Sequence, residues 1–302
     1  MSTEIIDIAD LDCIYLTYDE PQREEFWIKI QNQIPWARRV DGVKGSDAAH
    51  KAAADASDTD RFVLIDGDNL PDPEFFNLQL TLDDTNKDVV FRWRARNIIN
   101  GLMYGNGGMS CWTKEFVYNM RTHEATDGTA ENDVEFCFYP NYWAMNDCYS
   151  TTYPNATPFQ AWRAGFREGV KMCLDRGKKP SIQDFESRVH SRNYDNLCIW
   201  QSVGIDADQG AWAIAGARMG TYRTMLSDWD YRLVQDFDEL AKIWDTVKST
   251  DPAEIIQRYD HPLRTQLGLP ITMLNSEQSK FFKHHYRSQY QNRGPMAREQ
   301  HD

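Results

Sequence analysis

The sequence predicts an α/β fold: a Rossmann-like, mostly parallel central sheet with flanking helices, followed by a mainly helical C-terminal extension. Three observations carry this reading. Short apolar runs alternate with segments of helical spacing from Cys13 to Asn69. The run Arg61-Phe-Val-Leu-Ile-Asp-Gly-Asp-Asn69 reads as a buried strand that empties into Asp66-Gly67-Asp68. Beyond residue 150 the spacing turns helical. We place an α/β core at 1–155 and the extension at 156–302.

The elements follow in order. Cys13 to Thr17 is predicted as a first strand, and Pro21 then sits where a helix can start. Phe26, Trp27, Ile30 and Ile34 recur at helical spacing, and Pro35 stops them. A second strand is expected around Ala37–Val43, and Ser46 is read as the N-cap of an alanine-rich helix from Ala48 to Ala56. The strand Phe62–Ile65 ends at the Asp pair, and Asp88–Trp93 is a further strand. Asn97 to Gly108 is read as a glycine-rich turn, in which Gly107-Gly108 allows either a ligand or an ordinary turn to come close. Thr157-Pro158 starts a helix lined by Phe159, Trp162, Phe166, Val170 and Leu174, with Gly177 as its stop. Phe237, Leu240, Trp244 and Val247 mark another helix, and Ser276 to Gln291 a polar terminal one.

Composition excludes several classes. With 302 residues, 41% hydrophobic, and 10 Trp, 14 Tyr and 14 Phe, a packed core is assured and global disorder is not expected. No apolar run approaches the roughly 20 residues that cross a bilayer, and the N-terminal residues carry no basic leader. The six cysteines are scattered without a C-x-x-C pair, which suits free thiols and a cytoplasmic location. A net charge of −13 argues against a generally basic nucleic-acid binder. The charge is uneven, however. Arg163, Arg167, Lys171, Arg176, Lys178, Lys179, Arg188 and Arg192 form one basic stretch, and Lys280, Lys283, Arg287, Arg293 and Arg298 another. Each is either a solvated helix face or a surface for a phosphate-bearing partner.

The chemistry is expected at Asp66 and Asp68. Two carboxylates leaving a strand end, with a glycine between them, can hold a divalent cation and still admit a diphosphate. The triplet alone is weak, because five others start at Asp10, Asp58, Asp206, Asp228 and Asp236. Only the one at Asp66 follows a compact strand. Tyr18-Asp19-Glu20 leaves the end of the first strand, so in a parallel sheet both acidic clusters fall on one edge, where such folds bind ligands. Arg92, Arg94 and Arg96 alternate around Trp93 and would share one strand face, either gripping phosphate or pairing with acids.

Ile14-Tyr-Leu-Thr-Tyr-Asp-Glu20, the helix after Lys44-Gly45, Leu64-Ile-Asp-Gly-Asp-Asn69 and the Gly-Asn-Gly-Gly segment together resemble a GT-A glycosyltransferase of the family 2-like kind. The likeness runs over roughly residues 10 to 150 and is nearest to tailed-phage glycosyltransferases that modify hydroxymethylated DNA bases. It implies a metal-dependent transfer from a nucleotide-sugar, by default a UDP-sugar. It implies that Asp66 and Asp68 bind Mn²⁺ or Mg²⁺, and that Tyr18, Asp19, Glu20, Lys44, Gly107 and Gly108 contact the donor. The start of the helix at Ser46 would face phosphate, and His50 would either reach the donor or serve structure. In Glu131-Asn-Asp-Val-Glu135, Asp133 and Glu135 would supply the general base, although Asn132 interrupts the usual Glu-Asp pair. His190 or His261 would be a third metal ligand. Arg94, Arg96, Arg163 and Arg167 would meet the acceptor, with DNA as the implied partner. A surface-glycan or protein acceptor, and a non-catalytic nucleotide-binding protein of the same fold, are the competing readings. Haloacid-dehalogenase-type phosphatases share Asp-x-Asp, but Asn69 and the position of Asp66 beyond the first strand do not fit them.

Overall fold

The computed structural model describes residues 3–120, 122 and 141–286. Nine strands and ten α-helices are found among them. The N-terminal half contains β1 (Glu4–Asp7), β2 (Asp12–Thr17), α1 (Arg23–Gln33), β3 (Arg38–Asp41), α2 (Ser46–Ala56) and β4 (Arg61–Asp66). There follow β5 (Asn69–Pro71), β6 (Gln79–Leu82), β7 (Val90–Asn97), β8 (Met103–Thr113), α3 (Lys114–Asn119) and β9 (Tyr142–Thr152). The helical half holds α4 (Pro158–Lys171), α5 (Phe185–Arg188), α6 (Ser191–Trp200), α7 (Gly210–Leu226), α8 (Phe237–Asp245), α9 (Pro252–Gln266) and α10 (Ser276–His285).

The main sheet has seven strands in the order β3-β2-β4-β8-β7-β9-β5, with β1 and β6 forming a separate antiparallel pair. It is mixed, which corrects the expectation of a mostly parallel sheet. The pairings β2–β3, β2–β4 and β7–β9 are parallel, whereas β4–β8, β7–β8 and β5–β9 are antiparallel. The physical reason lies between β7 and β8. Asn97 N–H donates to the Leu102 carbonyl at 2.8 Å, and Gly101 takes φ +77°. A connection that short can only return the chain antiparallel.

The glycine-rich run is part of β8 and not a turn. Trp93 pairs with Met109 and Ala95 with Tyr104, so one residue on β7, Arg94, faces four on β8, Gly105 to Gly108. This bulge and the register shifts toward β9 break the alternation on which a common arginine face depended. Arg92 is half-buried over the Tyr142 ring, Arg94 is 5% exposed and donates to Asn146 at 2.9 Å, and only Arg96 is exposed.

Strand periodicity fills both faces of the sheet. Val63 and Ile65 point with Tyr15, Trp93 and Cys111 toward Phe26, Ile30 and Ile34, on or just after α1. Phe62 and Leu64 point with Ile14 and Trp112 toward Ala53 and Ala54 of α2 and Phe116 of α3. The helical half shares its core with the sheet, because Ile99 and Leu102 of the β7–β8 turn pack with Phe185, Leu197, Ala213 and Leu263. At its centre α4 and α7 lie in close contact through glycines. A Cβ at Gly165 would lie 2.0 Å from the Ala213 carbonyl oxygen, and one at Gly216 would lie 2.1 Å from that of Trp162. The expected stop at Gly177 is corrected too. The helix ends at Lys171, and Gly177 sits in the tight turn Asp175–Lys178. No helix among the described residues is long and apolar enough to cross a membrane.

Candidate functional site

Leu16 of β2 pairs with Asp66 of β4, so the residues that leave these two parallel strands leave at one edge. The edge is fastened from below. The Tyr15 hydroxyl donates to the Gly67 carbonyl at 2.7 Å, and the Tyr15 ring is stacked 6.0 Å from Trp27. Burial and the nearby Glu20 carboxylate keep the Tyr15 phenol protonated, well above its ordinary range. Glu20 accepts from the Tyr18 backbone N–H at 2.8 Å, and its carboxylate covers Gly67.

Asp68 is held from two sides. Its Oδ1 accepts from Asn69 Nδ2 at 2.7 Å and its Oδ2 from Thr152 Oγ1 at 3.2 Å, while its carbonyl accepts from Tyr153 N–H at 2.8 Å. Asn69 is itself placed by Ser150, whose hydroxyl donates to Asn69 Oδ1 at 3.2 Å. The close approach that Gly108 permits is to this asparagine. At φ +70°, a Cβ on residue 108 would lie 2.2 Å from Asn69 Nδ2.

The Asp66 carboxylate has no hydrogen-bond partner among the described residues. Its side chain is accessible to solvent, yet protein surrounds it closely enough to disfavour its charge. Asp66 is therefore exposed at the strand end and crowded by its neighbours. Burial first, then Asp68 and Glu20, push its pKa up to about 7. Asp68 and Glu20 are also raised, mainly by burial, against the hydrogen bonds that favour their charged forms. Neither Glu20, Asp66 nor Asp68 forms an ion pair with a described residue. Crowded carboxylates with no ion-pair partner among the described residues are a chemistry that a divalent cation relieves, and Asp66 and Asp68 are the pair that could hold one. Among the described residues no group of three or more His, Cys, Asp or Glu side chains encloses a metal position. A cation there would have two protein carboxylates and would take its other ligands from water and substrate, as Mg²⁺ commonly does.

The other expected site residues divide clearly. Tyr18, 47% exposed, and Asp19 follow the end of β2 at this edge. Lys44 is exposed just ahead of Gly45, which takes φ +94° and is the N-cap of α2; Ser46 is the first helical residue and not the cap. His50 is buried, with Nδ1 2.8 Å from the Ser46 carbonyl and its ring against Trp112, a structural position. Gly107 lies in the β8 bulge. Arg94 is buried away from the surface, whereas Arg163 and Arg167 of α4 pack on Phe237. His190 caps α6 by accepting from Arg192 N–H at 3.2 Å, and His261 is exposed on α9. Asp133 and Glu135 lie outside the described residues. A concavity of about 400 Å³ between Asp175 and Arg188 shares no residue with the carboxylate edge.

Sequence reasoning missed Tyr15, Asn69, Ser150 and Thr152. The last two had a readable signal: they alternate along β9, so their hydroxyls fall on one face. No family model, curated protein or solved structure matches the chain.

Proposed function

We propose that this chain is a metal-dependent glycosyltransferase of the GT-A kind. It would move a sugar from a nucleotide-sugar, by default a UDP-sugar, to a hydroxyl acceptor. The observation that carries the proposal is the convergence of Glu20, Asp66 and Asp68, with no ion pair to a described residue, where β2 and β4 end side by side. In this reading Asp66 and Asp68 hold Mn²⁺ or Mg²⁺, which supplies charge stabilisation for the departing diphosphate. Tyr18 offers an exposed ring for the base, with Asp19 and Lys44 beside the nucleotide. The favoured acceptor is a 5-hydroxymethylated pyrimidine in DNA, reached on a single strand or by flipping the base. Because the first half of the chain is acidic, the duplex would approach from the basic helical half.

Thermal unfolding against a panel of nucleoside diphosphates, with Mn²⁺, Mg²⁺ or EDTA, tests the donor side. Ligand that binds only the folded protein raises the midpoint. A metal-dependent rise for one nucleotide, absent in Asp66→Asn, is expected; no rise for any nucleotide would sink the proposal. Transfer to hydroxymethylated oligonucleotides, compared with free saccharides and peptides, then decides the acceptor.

A further inference from the structure

We infer that Arg163 binds a phosphate of the ligand at the carboxylate edge, held ready by a clamp of two aromatic rings, Phe159 and Phe237. This deepens the glycosyltransferase reading and rests on it. The guanidinium carbon lies 5.3 Å from the centroid of the Phe159 ring and 4.9 Å from that of Phe237. Phe159 is packed, whereas Phe237 is half exposed and also has Arg167 over its ring at 5.2 Å. Phe159 packs against Trp162 and Trp244, and Phe237 opens α8, where the Asp236 side chain accepts from the backbone N–H groups of Asp238 and Glu239. Rings packed beside a guanidinium attract its charge and leave N–H groups able to donate. No described residue accepts a hydrogen bond from Arg163 or pairs with it. An arginine that is half-buried, restrained and unpaired is prepared for an anion brought from outside.

Its position gives that anion a place. Thr152 and Tyr153 hold Asp68 through side chain and backbone, and α4 starts at Pro158 after the Thr157 cap, which accepts from Gln160 N–H at 3.1 Å. Arg163 therefore stands a short tether from Asp68. No ion pair joins the two, yet the Arg163 charge favours the ionised form of Asp68. A phosphate that meets a cation on Asp66 and Asp68 with one oxygen can accept two N–H bonds from Arg163 with others.

Calorimetric titration of pyrophosphate into the full chain with saturating Mn²⁺ tests this, alongside titration of Mn²⁺ alone and thermal melts of each variant. Arg163→Met is expected to weaken pyrophosphate binding about 10- to 100-fold while Mn²⁺ binding stays within about twofold. Arg163→Lys should recover only part, because an ammonium cannot donate bidentately. Phe237→Leu, which keeps the charge and loosens the clamp, should weaken binding by about threefold or more and serves if Arg163→Met does not fold. Wild-type affinity in Arg163→Met, with binding lost in Asp66→Asn, would overturn the role of Arg163 and leave the carboxylate reading standing. An equal loss of Mn²⁺ and pyrophosphate binding in Arg163→Met would overturn it as well. So would loss of single-stranded oligonucleotide binding with pyrophosphate unchanged, which would move Arg163 to the acceptor. Absence of any Mn²⁺-dependent pyrophosphate binding to the wild-type chain would remove both readings.

Discussion

The Glu20 carboxylate occupies the space that a side chain at position 67 would need: a Cβ on Gly67 would lie 2.6 Å from the Glu20 carboxyl carbon. The glycine in Asp66-Gly67-Asp68 is therefore required by packing. Gly67→Ala must push Glu20 away from this edge, together with the Tyr18 N–H it accepts from. Glu20 is a flexible acid that can move toward solvent, so the stability cost should be modest, about 1 kcal/mol. The effect on Mn²⁺-dependent nucleotide binding should be larger, and paired melts with and without ligand would separate the two. Equal nucleotide binding in Gly67→Ala would show that the placement of Glu20 is irrelevant to the site.

Asp66 makes the stability of the metal-free protein depend on pH. Its carboxyl is pushed up to about 7 in the folded chain, against an ordinary 3.8. Between these values the folded protein keeps a proton that the unfolded chain has lost. Its stabilising contribution is therefore complete below the unfolded value and is lost as pH rises through about 7. Mn²⁺ competes with that proton, so the Mn²⁺-induced rise in Tm should grow from pH 5 to pH 8. In EDTA at pH 8, Asp66→Asn should be more stable than wild type by about 1 kcal/mol, a value reduced for the solvent access of this carboxylate. A Tm gain from Mn²⁺ that does not change with pH would rule out this coupling.

The first half of the fold was legible because its elements announce themselves locally. Cys13–Thr17, the Phe26/Ile30/Ile34 stripe and Phe62–Ile65 match β2, α1 with its flank, and β4 to within a residue or two. Their order placed Tyr18–Glu20 and Asp66–Asp68 on one edge. What local pattern could not supply was the partner of each strand. Insertion of β8 between β4 and β7 is a non-local pairing, and it turned an expected turn into a bulged strand and the Arg92–Arg96 face into one half-buried, one buried and one exposed arginine. The helix α7 was not read at all. It is buried nearly all round, with Gly210, Ala213, Ala217 and Gly220 inside, so it shows no amphipathic period. Its Gly216-x-x-x-Gly220 spacing, facing Gly165-x-x-x-Gly169 of α4, was the signal available.

Asn69 orients Asp68 and carries no charge of its own, and both properties should be measurable. It is 2% exposed, donates to Asp68 and accepts from Ser150. Asn69→Asp keeps the shape, removes the donor and adds a fourth acid to Glu20, Asp66 and Asp68. The expected loss is about 2–3 kcal/mol at pH 8, shrinking toward pH 4 as the new carboxyl protonates. Urea unfolding at the two pH values checks it. An equal loss at both would mean that geometry, not charge, makes position 69 an asparagine.

The contact between α4 and α7 sets where Arg163 stands, so a defect there should reach the site. A Cβ at Gly165 meets the Ala213 carbonyl oxygen at 2.0 Å, and one at Gly216 meets that of Trp162 at 2.1 Å. Backbone cannot rotate away as a side chain can, so the helices must separate. That removes dispersion contacts along Phe166, Ile214 and Ala217, all fully buried. Gly165→Ala and Gly216→Ala should each cost about 2–4 kcal/mol, a large share of the 5–15 kcal/mol typical of a domain. Helix propensity acts in the opposite direction, since alanine is favoured over glycine by about 1 kcal/mol, so the net sign reports which effect is larger. Gly42→Ala is the comparison. It has nothing within 4 Å and only a φ of +75° to object, so it should lose about 1 kcal/mol and leave nucleotide binding intact. If Gly165→Ala is no worse than Gly42→Ala, the close contact of α4 with α7 does not govern stability, and the position of Arg163 on α4 is not fixed by it.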